Sequence, residues 1–154
     1  MNDKNQTQES EKQKHVQVRG QYIKDLSFES PSAPASLVPK STAPKIDVNI
    51  DLNASALRDD DYEVAIRIET KAVCEDETLF LAELTYGGVF TLHNIPDNEK
   101  EGILMIYCPG LLFPYARRVI SDTTRDGGFP PLLLDPIDFA TLYQKRKAQQ
   151  NSAA

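Results

Sequence analysis

Two histidines, two cysteines and no excess of basic charge leave this chain of 154 residues short of the groups that catalysis or nucleic-acid binding requires. With only His15 and His93 present, a Ser-His-Asp or Cys-His device would have to run on His93, beside a strand end. A surface or cap histidine is the ordinary reading there. Cys74 and Cys108 are too few for a disulfide framework and have no ligand-like spacing, as befits free thiols in a reducing compartment. Cys108 lies in an apolar stretch and reads as a buried thiol, not a nucleophile. A formal net charge of -6 excludes the basic face that phosphates demand. No apolar run approaches the ~20 residues of a bilayer span, so no membrane insertion is expected. Met1–Lys14 lacks the apolar centre of a secretory signal, which implies a cytoplasmic protein. Gly87-Gly88 leads into neither Lys-Ser/Thr nor a helix start, so it forms no phosphate cradle. Asp59-Asp60-Asp61 lacks the alternating ligands and terminal Glu of a calcium loop and reads as a turn cap. No metal or other cofactor is implied, and no active site assembles. The chain is expected not to be an enzyme.

What is present is alternation. Residues 1–14 form a polar arm expected to be disordered, 15–149 one folded domain, and 150–154 a flexible tail. Val16, Val18, Tyr22, Leu26 and Phe28 occupy even positions and polar residues the odd ones, the signature of a strand with one wet face. Lys24 interrupts the pattern, predicting a kink near Asp25. Residues 30–44 hold four prolines, which argue against ladder or helix and for a long extended crossover. Loops of that length are often functional. A second strand then puts Ile46, Val48, Ile50 and Leu52 on one face. A third puts Tyr62, Val64, Ile66 and Ile68 inward. A fourth, to Leu92, sets Phe80, Leu84 and Tyr86 against Leu81, Glu83 and Thr85, with Gly87-Gly88 marking a bulge or bend. Residues 51–80 carry nine acids against three bases, enough to account for the whole net charge. This is either a solvated sheet face or a docking surface for a basic partner.

Two helices follow. Asn98 to about Thr124 reads as a long apolar helix broken near Pro109 and Pro114 and ending at Gly127-Gly128. Asp135-Pro136 offers the N-cap of a last helix carrying Ile137, Phe139, Leu142 and Tyr143. Strands first and helices last imply an α+β fold: a four-stranded antiparallel sheet with helices on one face. The long helix is too apolar for one sheet to cover. Its remaining side calls for further copies of the chain in a symmetric oligomer, with Val16, Val18, Tyr107, Leu111, Leu112 and Tyr115 as expected self-contacts.

Several strings carry a resemblance: Tyr22-Ile23-Lys24-Asp25-Leu26-Ser27-Phe28-Glu29, Asp61-Tyr62-Glu63-Val64, Phe80-Leu81-Ala82-Glu83-Leu84 and Gly87-Gly88-Val89-Phe90. Tyr107-Cys108-Pro109, Leu112-Phe113-Pro114-Tyr115-Ala116-Arg117 and Gly128-Phe129-Pro130 continue it. In this order they resemble the SecB family of bacterial protein-export chaperones from about Val16 to Gln149. The resemblance implies a Greek-key-like sheet and a homotetramer built as a dimer of dimers. It also implies ATP-independent holding of unfolded secretory precursors and their delivery to SecA, the export ATPase. A client groove is implied between the crossover, the neighbouring strand and the last helix, here Leu37, Val38, Ile46, Val48, Leu134, Phe139, Leu142 and Tyr143. Ordinary core or interface packing is the other reading of these residues. The docking positions for SecA correspond to Asp25, Glu29, Leu81 and Glu83, which should share the outer face of the sheet. A chaperone of a toxin-antitoxin system and a purely structural oligomer remain the alternatives.

Overall fold

The computed structural model describes residues 13–152. The expected disordered arm falls mainly on residues 1–12, outside the described part, and Lys14 is tied by an ion pair to Glu99 at 2.9 Å. Four strands form one antiparallel sheet: β1 (His15–Glu29), β2 (Lys45–Ala56), β3 (Asp61–Cys74) and β4 (Glu77–His93). Their spatial order is β1-β4-β3-β2. β2, β3 and β4 are joined by tight turns, and β1 lies beside β4 through the long crossover, a Greek-key arrangement. The turn between β3 and β4 places Glu75 and Asp76 at φ 52° and 66°, both left-handed, as a two-residue hairpin with the sheet's own twist requires. Asp59 turns the β2–β3 connection at φ 54°. Among the described residues no group of His, Cys, Asp or Glu side chains is placed to hold a metal ion.

The phase of β1 departs from the sequence pattern. Val16 and Val18 pair with Leu92 and Phe90, whereas Gly20 pairs with Val89, so Arg19 is an extra residue. Lys24 is a second one, between Ile23 opposite Tyr86 and Asp25 opposite Thr85. Each bulge flips the strand by one position. From Gly20 to Ile23 the faces are therefore exchanged: Tyr22 points outward, over Gly87, and Ile23 joins the inner face. The second bulge restores Leu26 and Phe28 to the inside. The predicted kink at Lys24 is thus real, whereas the bulge expected at Gly87-Gly88 belongs to the partner strand. Gly88 has a different role, because a Cβ there would lie 2.9 Å from Leu112 Cδ2.

In the crossover, a short 3-10 turn (Ala35–Leu37) follows Pro34, where only an extended chain was expected. A single turn needs few backbone donors, and proline at its start removes none of them. Lys40, Ser41 and Thr42 then bond to Glu77 and Glu75 at the β3–β4 turn.

The long helix comprises α1 (Asp97–Gly102), a π-helical turn (Ile103–Tyr107) and α2 (Cys108–Asp126). The irregularity falls before Pro109, not at it. Pro109 has no N–H for the Met105 carbonyl and its ring crowds that oxygen. Widening the coil one turn earlier, with Cys108 N–H reaching Ile103 O, relieves both problems. Pro114 sits inside α2 on its exposed side. At the C-terminus Gly128 N–H bonds to Arg125 O and Phe129 N–H to Thr124 O, a Schellman motif. It is closed by Gly128 at φ 92°, a conformation open to glycine. The last helix, α3 (Phe139–Ser152), starts later than Asp135-Pro136 suggested. Asp138 is the cap: its carboxylate accepts from the Thr141 N–H at 3.2 Å and the Thr141 hydroxyl at 2.9 Å.

Leu104, Cys108, Leu112, Phe113, Ala116 and Ile120 press the long helix onto Val64, Ile66, Ile68, Leu84, Phe90 and Leu92. By length and composition this helix is apolar enough to cross a bilayer, although charged and polar residues interrupt its apolar run in the sequence. It serves here as the core helix, yet only 39% of its most apolar 18-residue stretch is buried.

Candidate functional site

The buried Cys108 thiol is not poised for chemistry. Burial pushes the Cys108 thiol up to about 12, which suppresses the thiolate at neutral pH. His93 bonds to Gln17 at 2.9 Å and stacks on His15 with ring centroids 5.7 Å apart. No buried side-chain nitrogen or oxygen among the described residues lacks a partner. Three open surfaces are distinct.

The first is the outer face of the sheet. Asp25 is opposite Thr85, Ser27 opposite Glu83 and Glu29 opposite Leu81, so the strand register brings Asp25, Glu29, Leu81 and Glu83 onto one outward patch. Leu81 is half-buried and the three acids are exposed. On the same face Tyr22 reaches across Gly87 to bond to Glu63, which also takes Lys24 Nζ at 2.8 Å. The Tyr22 hydroxyl is pushed up to about 12, first by burial and then by Glu63. Lys24 and Tyr22 hold the Glu63 carboxyl below its usual range.

The second and third surfaces are the two flanks of the inner face. The long helix lies over β4 and β3 and barely reaches β1. On the β1 flank, Val18, Ile23 and Leu26 stay 40%, 49% and 40% exposed, beside the exposed Tyr107 and Tyr115. Tyr107, Leu111 and Tyr115 follow each other at four-residue spacing and line one side of the helix. Ile23, Tyr86, Tyr115 and Val119 share a depression of about 350 Å³, and Val16, Ile95, Ile103 and Tyr107 share another of about 470 Å³. Of the expected self-contacts, Leu112 does not belong here: it is fully buried under Gly88. Ile23 and Leu26 lie on this flank as well, Ile23 being brought to the inner face by the bulge at Arg19.

On the β2 flank, Ile46 and Val48 are 39% and 40% exposed; Leu37 and Val38 of the crossover are 46% and 60% exposed, with Leu37 against Gly128 at the end of α2 and its turn beside β4. Leu134 and Phe139, expected in the same groove, are core residues instead. Phe139 meets the edge of Phe113 at 5.9 Å, because the loop after α2 folds back under the helix, held by Leu132 N–H on Thr124 Oγ1 at 2.9 Å. Leu142 is half-buried against the core. Tyr143 is half-buried too, with Lys147 Nζ 5.0 Å from its ring centre. Arg146 holds α3 to the edge of β2 through Leu52 O, at 3.2 Å, and Asp51.

Comparison with known proteins bears on these surfaces. The sequence model of the family described as "Preprotein translocase subunit SecB" matches residues 9–150. The "Protein-export protein SecB" of Bartonella quintana is 55% identical over 133 residues, 86% of this chain and 84% of that protein. That of Parvibaculum lavamentivorans is 48% identical over 139 residues, covering 90% and 83%. Among solved structures, a Mycobacterium tuberculosis SecB-like chaperone in complex with a ChAD peptide from an antitoxin aligns with a TM-score of 0.65. It covers 79% of this chain and 90% of that one at 18% identity, a likeness of fold.

Proposed function

The chain belongs to the SecB family, and on that premise we propose that its three open surfaces divide three tasks. It is a non-catalytic holding chaperone of preprotein export. The β2 flank with Ile46 and Val48, together with Leu37 and Val38 of the crossover, takes apolar segments of unfolded clients. The β1 flank joins copies of the chain into a homotetramer. The outer patch of Asp25, Glu29, Leu81 and Glu83 docks SecA in the bacterial cytoplasm. One observation supports this division above the others: Val18, Ile23, Leu26, Ile46 and Val48 are exposed on the inner face to either side of the helix, while Asp25, Glu29 and Glu83 are exposed together on the outer face.

Each client contact is weak, since burying apolar surface is worth about 25 cal/mol per Å². Grooves repeated over a tetramer let one long chain bind at several points, and linkage turns weak contacts into firm but reversible holding. Leu134 and Phe139 would act from beneath, as the packed floor. The antitoxin-peptide complex is a likeness of fold at 18% identity, whereas the relatives near half identity are export proteins, which favours export over a toxin-antitoxin role.

The test uses two variants and two assays. Val38→Asp with Val48→Asp should weaken suppression of aggregation of a denatured secretory precursor by roughly tenfold. Glu83→Lys should leave that holding intact and weaken SecA binding. Loss of both activities on Glu83→Lys would sink the separation of surfaces.

A further inference from the structure

Arg67 stands between two carboxylates that the sheet register forces together. Glu69 of β3 is directly opposite Glu83 of β4, and like charges facing each other across a ladder repel. The Arg67 guanidinium lies 2.7 Å from Glu69 Oε1 and 3.7 Å from Glu83 Oε2. Its own neighbours in register give it no better partner. Thr85 on β4 is neutral, and Asp51 on β2 is bound to Arg146 of α3. Arg67 is therefore shared unequally. Glu83 keeps the freer carboxylate, with its side chain 49% exposed against 38% for Glu69.

We propose that Glu69 is a positioning residue for partner docking: it holds Arg67 off Glu83, so that Glu83 remains open to a cationic group of SecA. This rests on the reading of the outer face as the docking surface. A cation approaching Glu83 competes with Arg67 for the same oxygens. Neutralising Glu69 frees Arg67 to close onto Glu83 and occupy it. Neutralising Arg67 leaves Glu83 unopposed. Exposed ion pairs couple weakly, so graded changes are expected, not all-or-none ones.

The experiment is a double-mutant cycle, read by calorimetric titration of the full chain with purified SecA, with client holding as the control for an intact fold. Glu69→Gln should weaken binding by about two- to fivefold, and Arg67→Gln should tighten it by a similar factor. Glu69→Gln added to Arg67→Gln should change nothing. If Glu69→Gln weakens binding equally in both backgrounds, Glu69 touches the partner itself and the positioning role fails. If Arg67→Gln weakens binding, Arg67 is a contact and not a competitor, and the role fails again. Glu83→Lys separates these results from the underlying reading. Binding lost on Glu83→Lys but unmoved by the other two variants overturns the positioning role alone. Binding that survives Glu83→Lys overturns the docking reading as well.

Discussion

At the scale of single residues, Tyr22, Lys24 and Glu63 stitch three positions across the back of the sheet. Tyr22 titrates from an ordinary value of 10.0 up to about 12 because the fold prefers its neutral form. A raised acid contributes stability in full below its unfolded value and loses it as pH climbs through the folded one. Urea midpoints of the native chain should therefore fall between about pH 10 and pH 12, and Tyr22→Phe should show a shallower fall; equal slopes would remove the network from the account. Glu63 has the opposite sign. Its lowered carboxyl adds stability above the normal glutamate range and loses it on acidification, so Glu63→Gln should flatten the acid limb. Which residues were hydrophobic was plain from the sequence, but how deep each one sits was not. Leu111 and Leu112 are neighbours, one half-buried and one fully enclosed. Only the angle at which the helix meets the sheet distinguishes them.

At the scale of elements, alternation made β2, β3 and β4 legible, since one face of each is buried and a period of two records that fact. β1 was read correctly at its ends and wrongly between Gly20 and Ile23, because a bulge leaves no composition of its own. The π turn was invisible for the same reason. Two prolines announced trouble in the helix, but the backbone resolves it one turn upstream of the first. The start of α3 was misplaced because Asp135-Pro136 and Asp138 are both credible caps, and packing of Phe139 against Phe113 decides between them. Gly87-Gly88 reads in the sequence as a bulge or bend, whereas the use of Gly88 is closeness. Gly88→Ala would put a methyl 2.9 Å from Leu112 Cδ2 and 3.0 Å from the Phe90 ring. Both side chains are fully buried, so neither yields cheaply. A loss of about 1–3 kcal/mol is expected, read as a lowered thermal midpoint; an unchanged midpoint would show that helix and sheet have slack between them.

At the scale of the whole molecule, the acidic patch could be foreseen because it follows the polar phase of the strands, whereas the inner face splits in two for a reason only three dimensions supply. The helix is narrower than the sheet. It covers the middle strands and leaves a greasy margin on each side, under β1 and under β2. Ile23→Asp places a charge in the first margin, where apolar contact between copies is expected. Light scattering should then show a smaller assembly than the native chain forms, while a short client, needing only one groove, should still be held. Native-sized assemblies from Ile23→Asp would place self-contact elsewhere. On the proposed division of surfaces the helix acts as a keel, with moorings to port and cargo to starboard, so that freight can come and go without casting off the neighbouring vessels.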